Sequence, residues 1–313
     1  MFGSGNSSNT QQQIKRDSKY TATQFLSFSI NTAGGVEEFG ECEGRFVDTE
    51  GVNEGTCYLG NQTDLRADLE HRFLILKTVL EGLSKDKSTE LPKIDHSSNV
   101  LKIFMLPEFF WRGPHGAYSL SDLDEGGLLI GLADYLYDVV KDPVYEDWLF
   151  VFGTVIMAQN TQNSDKPWQA EDQYVDEGEI LYFNFAPVVK GGSEFASTKF
   201  SIFKTYISTA DFLGREQGLP DPRESNITQY QDLFDGGNEK LQDFILNERG
   251  VHVVDGNVFE VDGIRFGMEI CLDHAKSVLW DNMQEDNADL VDVHLIVSEG
   301  MSIERGPTPL QPK

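Results

Sequence analysis

The sequence predicts an α/β protein built as one domain, and three observations predict it. Two apolar runs, V-L-K-I-F-M-L at 100–106 and W-L-F-V-F-G-T-V-I-M-A at 148–158, lack polar alternation, as strands covered on both faces do. Segments with apolar residues at helical spacing lie between such runs. Strands and helices then alternate along the chain with no internal repeat and no clear linker.

In chain order, residues 1–19 are polar and rich in Ser, Asn and Gln, and read as a disordered tail ahead of a domain at 20–313. Residues 20–31 alternate well enough for a first strand, and 34–62 read as a long Gly- and Glu-rich loop. Residues 63–83 form the best helix: Thr63 caps it, and Leu65, Leu69, Phe73, Leu76, Val79 and Leu80 share a face. The strand at 100–106 stops at Pro107, which has no N–H for a ladder. A helix at 120–140, a single strand at 148–158 and a strand at 180–189 follow. After a strand at 198–207, residues 211–235 read as loop. Short strands are expected at 251–254 and 258–261, then a strand from Ile264 into Cys271, a helix at 275–286 and a last strand at 291–297.

The chain carries 25 basic and 52 acidic residues, a net charge of −27 spread along its length. Such a field repels nucleic acid and anionic membrane surfaces. No run of apolar residues is long enough to span a bilayer. The N-terminal stretch has no apolar core of the signal-peptide type, so a cytoplasmic location is expected. Of three cysteines, Cys42 and Cys57 flank a polar loop and are expected to be reduced surface thiols, which leaves Cys271 to be explained.

Chemistry concentrates at strand ends, where open sheets place their sites. Cys271 ends the apolar stretch I-R-F-G-M-E-I-C-L-D-H. Cysteine is the most nucleophilic common side chain once its proton is removed. Glu108 follows the strand stopped by Pro107 and precedes Phe109, Phe110 and Trp111. A carboxylate beside three aromatic rings is poorly solvated, which raises its pKa toward that of a general base. Lys199 and Lys204 lie five residues apart around an apolar run, where lysines ordinarily snorkel to the surface. No His/Cys cluster with metal-ligand spacing is apparent, and no cofactor is expected.

P-E-F-F at 107–110, T-K-F-S-I-F at 198–203, R-E-S-N-I-T at 223–228 and G-M-E-I-C-L-D-H at 267–274 together resemble the nitrilase superfamily of carbon–nitrogen hydrolases. The resemblance implies an α-β-β-α sandwich and a Glu-Lys-Cys triad. Cys271 would be the nucleophile and Glu108 the base. Lys199, which directly precedes F-S-I-F, would stabilise the oxyanion together with the Leu272 N–H. Lys204 is the alternative lysine. Glu224 would be the second glutamate, orienting the lysine or the substrate. Phe109, Phe110, Trp111, Tyr118 and Met301 are candidate pocket residues. His274 stands where the family commonly has Arg. Leu272-Asp273 departs from the Trp-Glu of true nitrilases, so an amide or carbamoyl substrate is favoured over a nitrile. Family members run on well past the strand after the nucleophile. The sandwich is therefore expected to lack its C-terminal helix and strands, and a homo-oligomer is expected to cover the edge at 291–297. Two rival readings are a Cys-His hydrolase, although none of the six histidines has a recognisable catalytic context, and a nitrilase-like scaffold kept for binding.

Overall fold

The uninterrupted apolar runs at 100–106 and 148–158 require strands with protein on both sides. The computed structural model, which describes residues 18–30, 32, 65–85, 93–112, 118–119, 128–160, 180–192, 199–206, 211, 251–285 and 290–299, supplies it. The protein is of the mixed α/β class. Its larger sheet runs β1 (Ala22–Ser27), β2 (Val100–Met105), β4 (Trp148–Val151), β6 (Ile180–Lys190), β5 (Val155–Asn160), β3 (Tyr118–Ser119). On β6 also pairs β7 (Lys199–Phe203), which in turn carries β8 (Val251–Val253). Among the described residues a smaller sheet runs β11 (Val293–Val297), β10 (Ile264–Ile270), β9 (Val258–Val261). The β1–β2–β4 pairs are parallel, β6 is antiparallel to its neighbours, and β10 is parallel to β11.

Period-two alternation sends each strand's side chains into two different cores. Leu101, Ile103, Leu149, Val151, Ala186, Val188 and Ile202 of the larger sheet meet Phe259, Val261, Phe266, Met268, Ile270 and Leu295 of the smaller one. The opposite face of the larger sheet, with Phe104, Phe150, Phe152, Val189 and Phe203, packs beneath α1 (Leu65–Lys85) and α2 (Leu128–Val140). Burying each such large apolar side chain stabilises the fold by about 1.5–3 kcal/mol. Short helices α3 (Leu272–Ala275) and α4 (Val278–Glu285) follow β10, and Leu279 and Met283 cover the outer side of the smaller sheet with Val291. The layers are therefore helix, sheet, sheet, helix. No helix of the described residues is long and apolar enough to cross a membrane.

The strands expected at 20–31 and 198–207 run only Ala22–Ser27 and Lys199–Phe203, and three further elements depart from expectation. The strand expected at 148–158 is two strands, because Gly153 breaks it at φ 69°. A Cβ there would be driven into the Pro107 carbonyl oxygen, so glycine lets the two segments touch. The helix expected at 275–286 starts three residues earlier and is divided, with Ser277 at φ 60° between α3 and α4. The last strand begins at Val293, two residues later than expected. The tail at 1–17, the loop at 34–62 and the chain beyond 299 lie outside the described residues, as do Cys42 and Cys57.

Candidate active site

Three strand ends converge on one buried cluster. Glu108 follows β2, Lys204 follows β7 and Cys271 follows β10. The turn that carries Glu108 is held by its neighbours. The Phe109 N–H donates to Thr154 Oγ1 at 2.9 Å, with Phe109 in the left-handed region at φ 64°. The Trp111 N–H donates to the Thr154 carbonyl at 3.0 Å, and Arg72 of α1, paired with Asp68, donates to the Phe110 carbonyl. The Glu108 side chain is fully buried. Its Oε1 accepts from Lys204 Nζ at 3.0 Å and from Asn184 Nδ2 at 3.2 Å, and its Oε2 accepts from the Glu299 N–H at 3.1 Å. Burial pushes this carboxyl above its ordinary value, Asp211 adds to the rise, and Lys204 opposes it.

Lys204 Nζ also contacts Asp211 Oδ1 at 2.5 Å, and Asn184 bridges the same two carboxylates. Burial lowers the ammonium's pKa, but Glu108 and Asp211 outweigh it and the net shift is upward, so Lys204 is held charged. The Phe109 ring centroid lies 6.0 Å from Lys204 Nζ and 4.8 Å from the Arg112 guanidinium.

Cys271 stands on the turn between β10 and α3 at φ 48°, ψ −108°. Such backbone costs a non-glycine residue about 1–3 kcal/mol and persists only where the surroundings impose it. Here the Cys271 N–H is fixed to the Val297 carbonyl at 2.9 Å. Simple alternation after Ile270 would turn Cys271 outward; the positive-φ turn instead packs it against the core between the sheets, where the Glu108 and Lys204 charges act on its thiol. Burial and the Glu108 charge push the thiol up to about 11, with Lys204 pulling the other way. The next acidic residue, Asp273, is buried and accepts from the Thr205 and Tyr206 N–H groups at 2.9 and 2.7 Å. It thereby ties the Cys271 turn to the segment after Lys204.

Several expected site residues lie elsewhere. Lys199 is not in the cluster: its ammonium lies 5.0 Å over the Tyr137 ring of α2. The reason is strand alternation. Phe200 and Ile202 face the second sheet and Lys204 continues that face, whereas Lys199, five residues away, faces the helices. Trp111 is likewise no pocket wall. Its indole N–H donates to the Phe152 carbonyl at 2.8 Å and its ring packs on Phe73 and Phe110 in the helix-side core. Tyr118 sits in that same core, donating to Asp68. Leu272 opens α3 beside Cys271, and the first N–H groups of a helix lack partners within it. Glu224 and Met301 lie outside the described residues.

Asn184, Asp211 and Asp273 were missed from sequence. Only Asn184 carried a signal, as a polar residue in register with the core-facing Ala186 and Val188 of β6. Metal-competent side chains also gather where no ligand spacing was apparent. Glu269, His274 and His294 are the one such group of three among the described residues, on the helix side of β10 rather than at the thiol. No protein-family model matches the chain, and no curated protein matches it at a significant level.

Proposed function

We propose that this protein is a thiol hydrolase that cleaves a non-peptide C–N bond, amide or carbamoyl, of a small molecule through an acyl-enzyme on Cys271. The observation that carries the reading is the buried Glu108–Lys204 pair, 3.0 Å apart, standing beside the Cys271 thiol. Acyl transfer needs a nucleophile, a base and fixed positive charge at the oxyanion, and these three groups are of those kinds. The motif resemblance points to the same chemistry, with Lys204 taking the role expected of Lys199.

In this reading the thiol is protonated at rest. Its proton passes to Glu108 as sulfur attacks the carbonyl carbon. That transfer removes the very carboxylate charge that holds the thiol's pKa high, so a single negative charge moves from Glu108 to sulfur and then to the carbonyl oxygen. Lys204 faces that charge throughout, and the Leu272 N–H is the second oxyanion donor. Losing one such donor costs about 2.7–4 kcal/mol of transition-state stabilisation. The C–N bond then breaks, and the leaving nitrogen takes the proton from Glu108. Water, deprotonated by Glu108, attacks the thioester and releases the acid and the thiol.

The test is ammonia or amine release from a panel of primary amides, carbamoyl amino acids and nitriles, with Cys271→Ala as control. Turnover of an amide or carbamoyl compound that vanishes in the control supports the reading. Turnover that survives in Cys271→Ala, or no turnover and no covalent adduct on Cys271 with any compound, overturns it.

A further inference from the structure

The outer side of β10 carries a second polar cluster that the hydrolytic reading does not use. Phe266, Met268 and Ile270 face the core between the sheets, so Gly267 and Glu269 face α3 and α4. The β10–β11 register sets His294 opposite Gly267 and brings it to the same side. Gly267 is needed there because a Cβ would be driven into the Leu279 side chain of α4. His274, three residues past the nucleophile, returns over Glu269 from α3.

The three side chains meet at one oxygen. Glu269 Oε2 lies 2.8 Å from His274 Nδ1 and 2.9 Å from His294 Nε2, while Glu269 Oε1 accepts from the Leu279 N–H at 2.9 Å. The donor atoms of all three lie within 4.8 Å of one another, and the side chains are only 2%, 12% and 9% exposed. Two imidazoles, through His274 Nδ1 and His294 Nε2, converge on one carboxylate oxygen, while His274 Nε2, across the ring from the cluster, is buried with no hydrogen-bond partner among the described residues.

We propose that Glu269, His274 and His294 form a structural binding site for a first-row divalent transition-metal ion, with Zn²⁺ the best fit, that clamps α3 onto β10 and β11 behind the nucleophile turn. Two imidazole nitrogens and one carboxylate oxygen are a Zn²⁺ ligand set, whereas Ca²⁺ and Mg²⁺ take oxygen. Ligand atoms about 2.0–2.1 Å from one tetrahedral ion stand roughly 3.3–3.4 Å apart, so the two Glu269–imidazole distances open by about half an ångström to accept it. The Leu279 N–H on the second carboxylate oxygen is the outer hydrogen bond that orients a ligating carboxylate. The ion lies across β10 from the sulfur and takes no part in the reaction.

The test uses the full chain, stripped with chelator and titrated with Zn²⁺ and with Co²⁺. One equivalent should bind, raise the melting temperature and, for Co²⁺, give visible absorption bands. His274→Ala and His294→Ala should each weaken binding by more than about 100-fold, beyond the 10–100-fold that loss of an outer partner costs. Cys271→Ala should bind like the parent. X-ray absorption of the parent Zn²⁺ form should report only nitrogen and oxygen neighbours, a readout that needs no variant to fold. Absence of saturable binding, undiminished binding in a folded His274→Ala/His294→Ala double variant, or sulfur in the coordination shell overturns the proposal.

Discussion

The Lys204 ammonium and the Glu108 carboxylate lie 3.0 Å apart with neither side chain exposed to solvent. Strand alternation brings them together: Lys204 continues the face of β7 that meets the second sheet, and Glu108 caps β2 at the same end. A charge buried this deeply is stable only while its partners remain.

Lys204→Met leaves Glu108 and Asp211 buried without their shared cation. Breaking a buried pair from one side costs about 3–5 kcal/mol. The variant should be destabilised on that scale in urea unfolding and should lose hydrolytic turnover by orders of magnitude. Lys199→Met removes a cation that lies over the Tyr137 ring and outside the Glu108 cluster, a ring interaction of about 0.5–2 kcal/mol, and should keep turnover within a few-fold. Equal loss of turnover in both variants would contradict the assignment of Lys204.

The charges around Cys271 predict opposite shifts in thiol reactivity. Glu108 raises the thiol pKa and Lys204 lowers it. Glu108→Gln should therefore move the pH midpoint of iodoacetamide alkylation below the parent's value near 11, so that labelling at pH 8 becomes faster. Lys204→Met should move it upward and slow labelling. On the proposed mechanism hydrolysis should fall in both variants, since one would lack the base and the other the oxyanion cation. Shifts of the same sign in alkylation would refute this account.

Asp273 predicts a pH-dependent contribution to stability. Burial raises its carboxyl pKa to about 7, against the pull of the Thr205 and Tyr206 N–H groups, whereas its ordinary value is 3.8. From about pH 4 to 7 the folded protein holds a proton that the unfolded chain has released. The residue's contribution is therefore complete below pH 4 and is lost as pH rises through 7. In Asp273→Asn an amide N–H₂ faces one of the two donors, at a cost of about 1–3 kcal/mol. The stability gap between parent and variant should be wider at pH 5 than at pH 8, measured by urea unfolding. A gap independent of pH would show that Asp273 is ionised throughout.

Gly153→Ala should damage both fold and site. The new Cβ meets the Pro107 carbonyl and the backbone is left-handed, a strain of about 1–3 kcal/mol before the clash is counted. Relief requires the 107–111 turn to move, and that turn carries Glu108. The expected result is a lower melting temperature together with reduced turnover; an unchanged melting temperature would mean that the close approach is dispensable.

Local chemistry made much of this legible. Continuous apolar runs announced doubly covered strands, Pro107 marked where β2 ends, and strand ends followed by Glu108 and Cys271 marked two members of the cluster. These features depend on a few neighbouring residues, so the sequence by itself determined the α/β class and the two residues. Only the tertiary structure decided which lysine joins them, because Lys199 and Lys204 differ only in the face of β7 they occupy, and that face acquires meaning once the second sheet packs on it. The same holds for Trp111, whose aromatic character suited a pocket or a core equally and whose ring N–H settled on the Phe152 carbonyl. Asp211, bonded to Asn184 27 positions away, and the Glu269–His274–His294 group, which spans 25 positions, are joined by strand register and turns that no local spacing encodes.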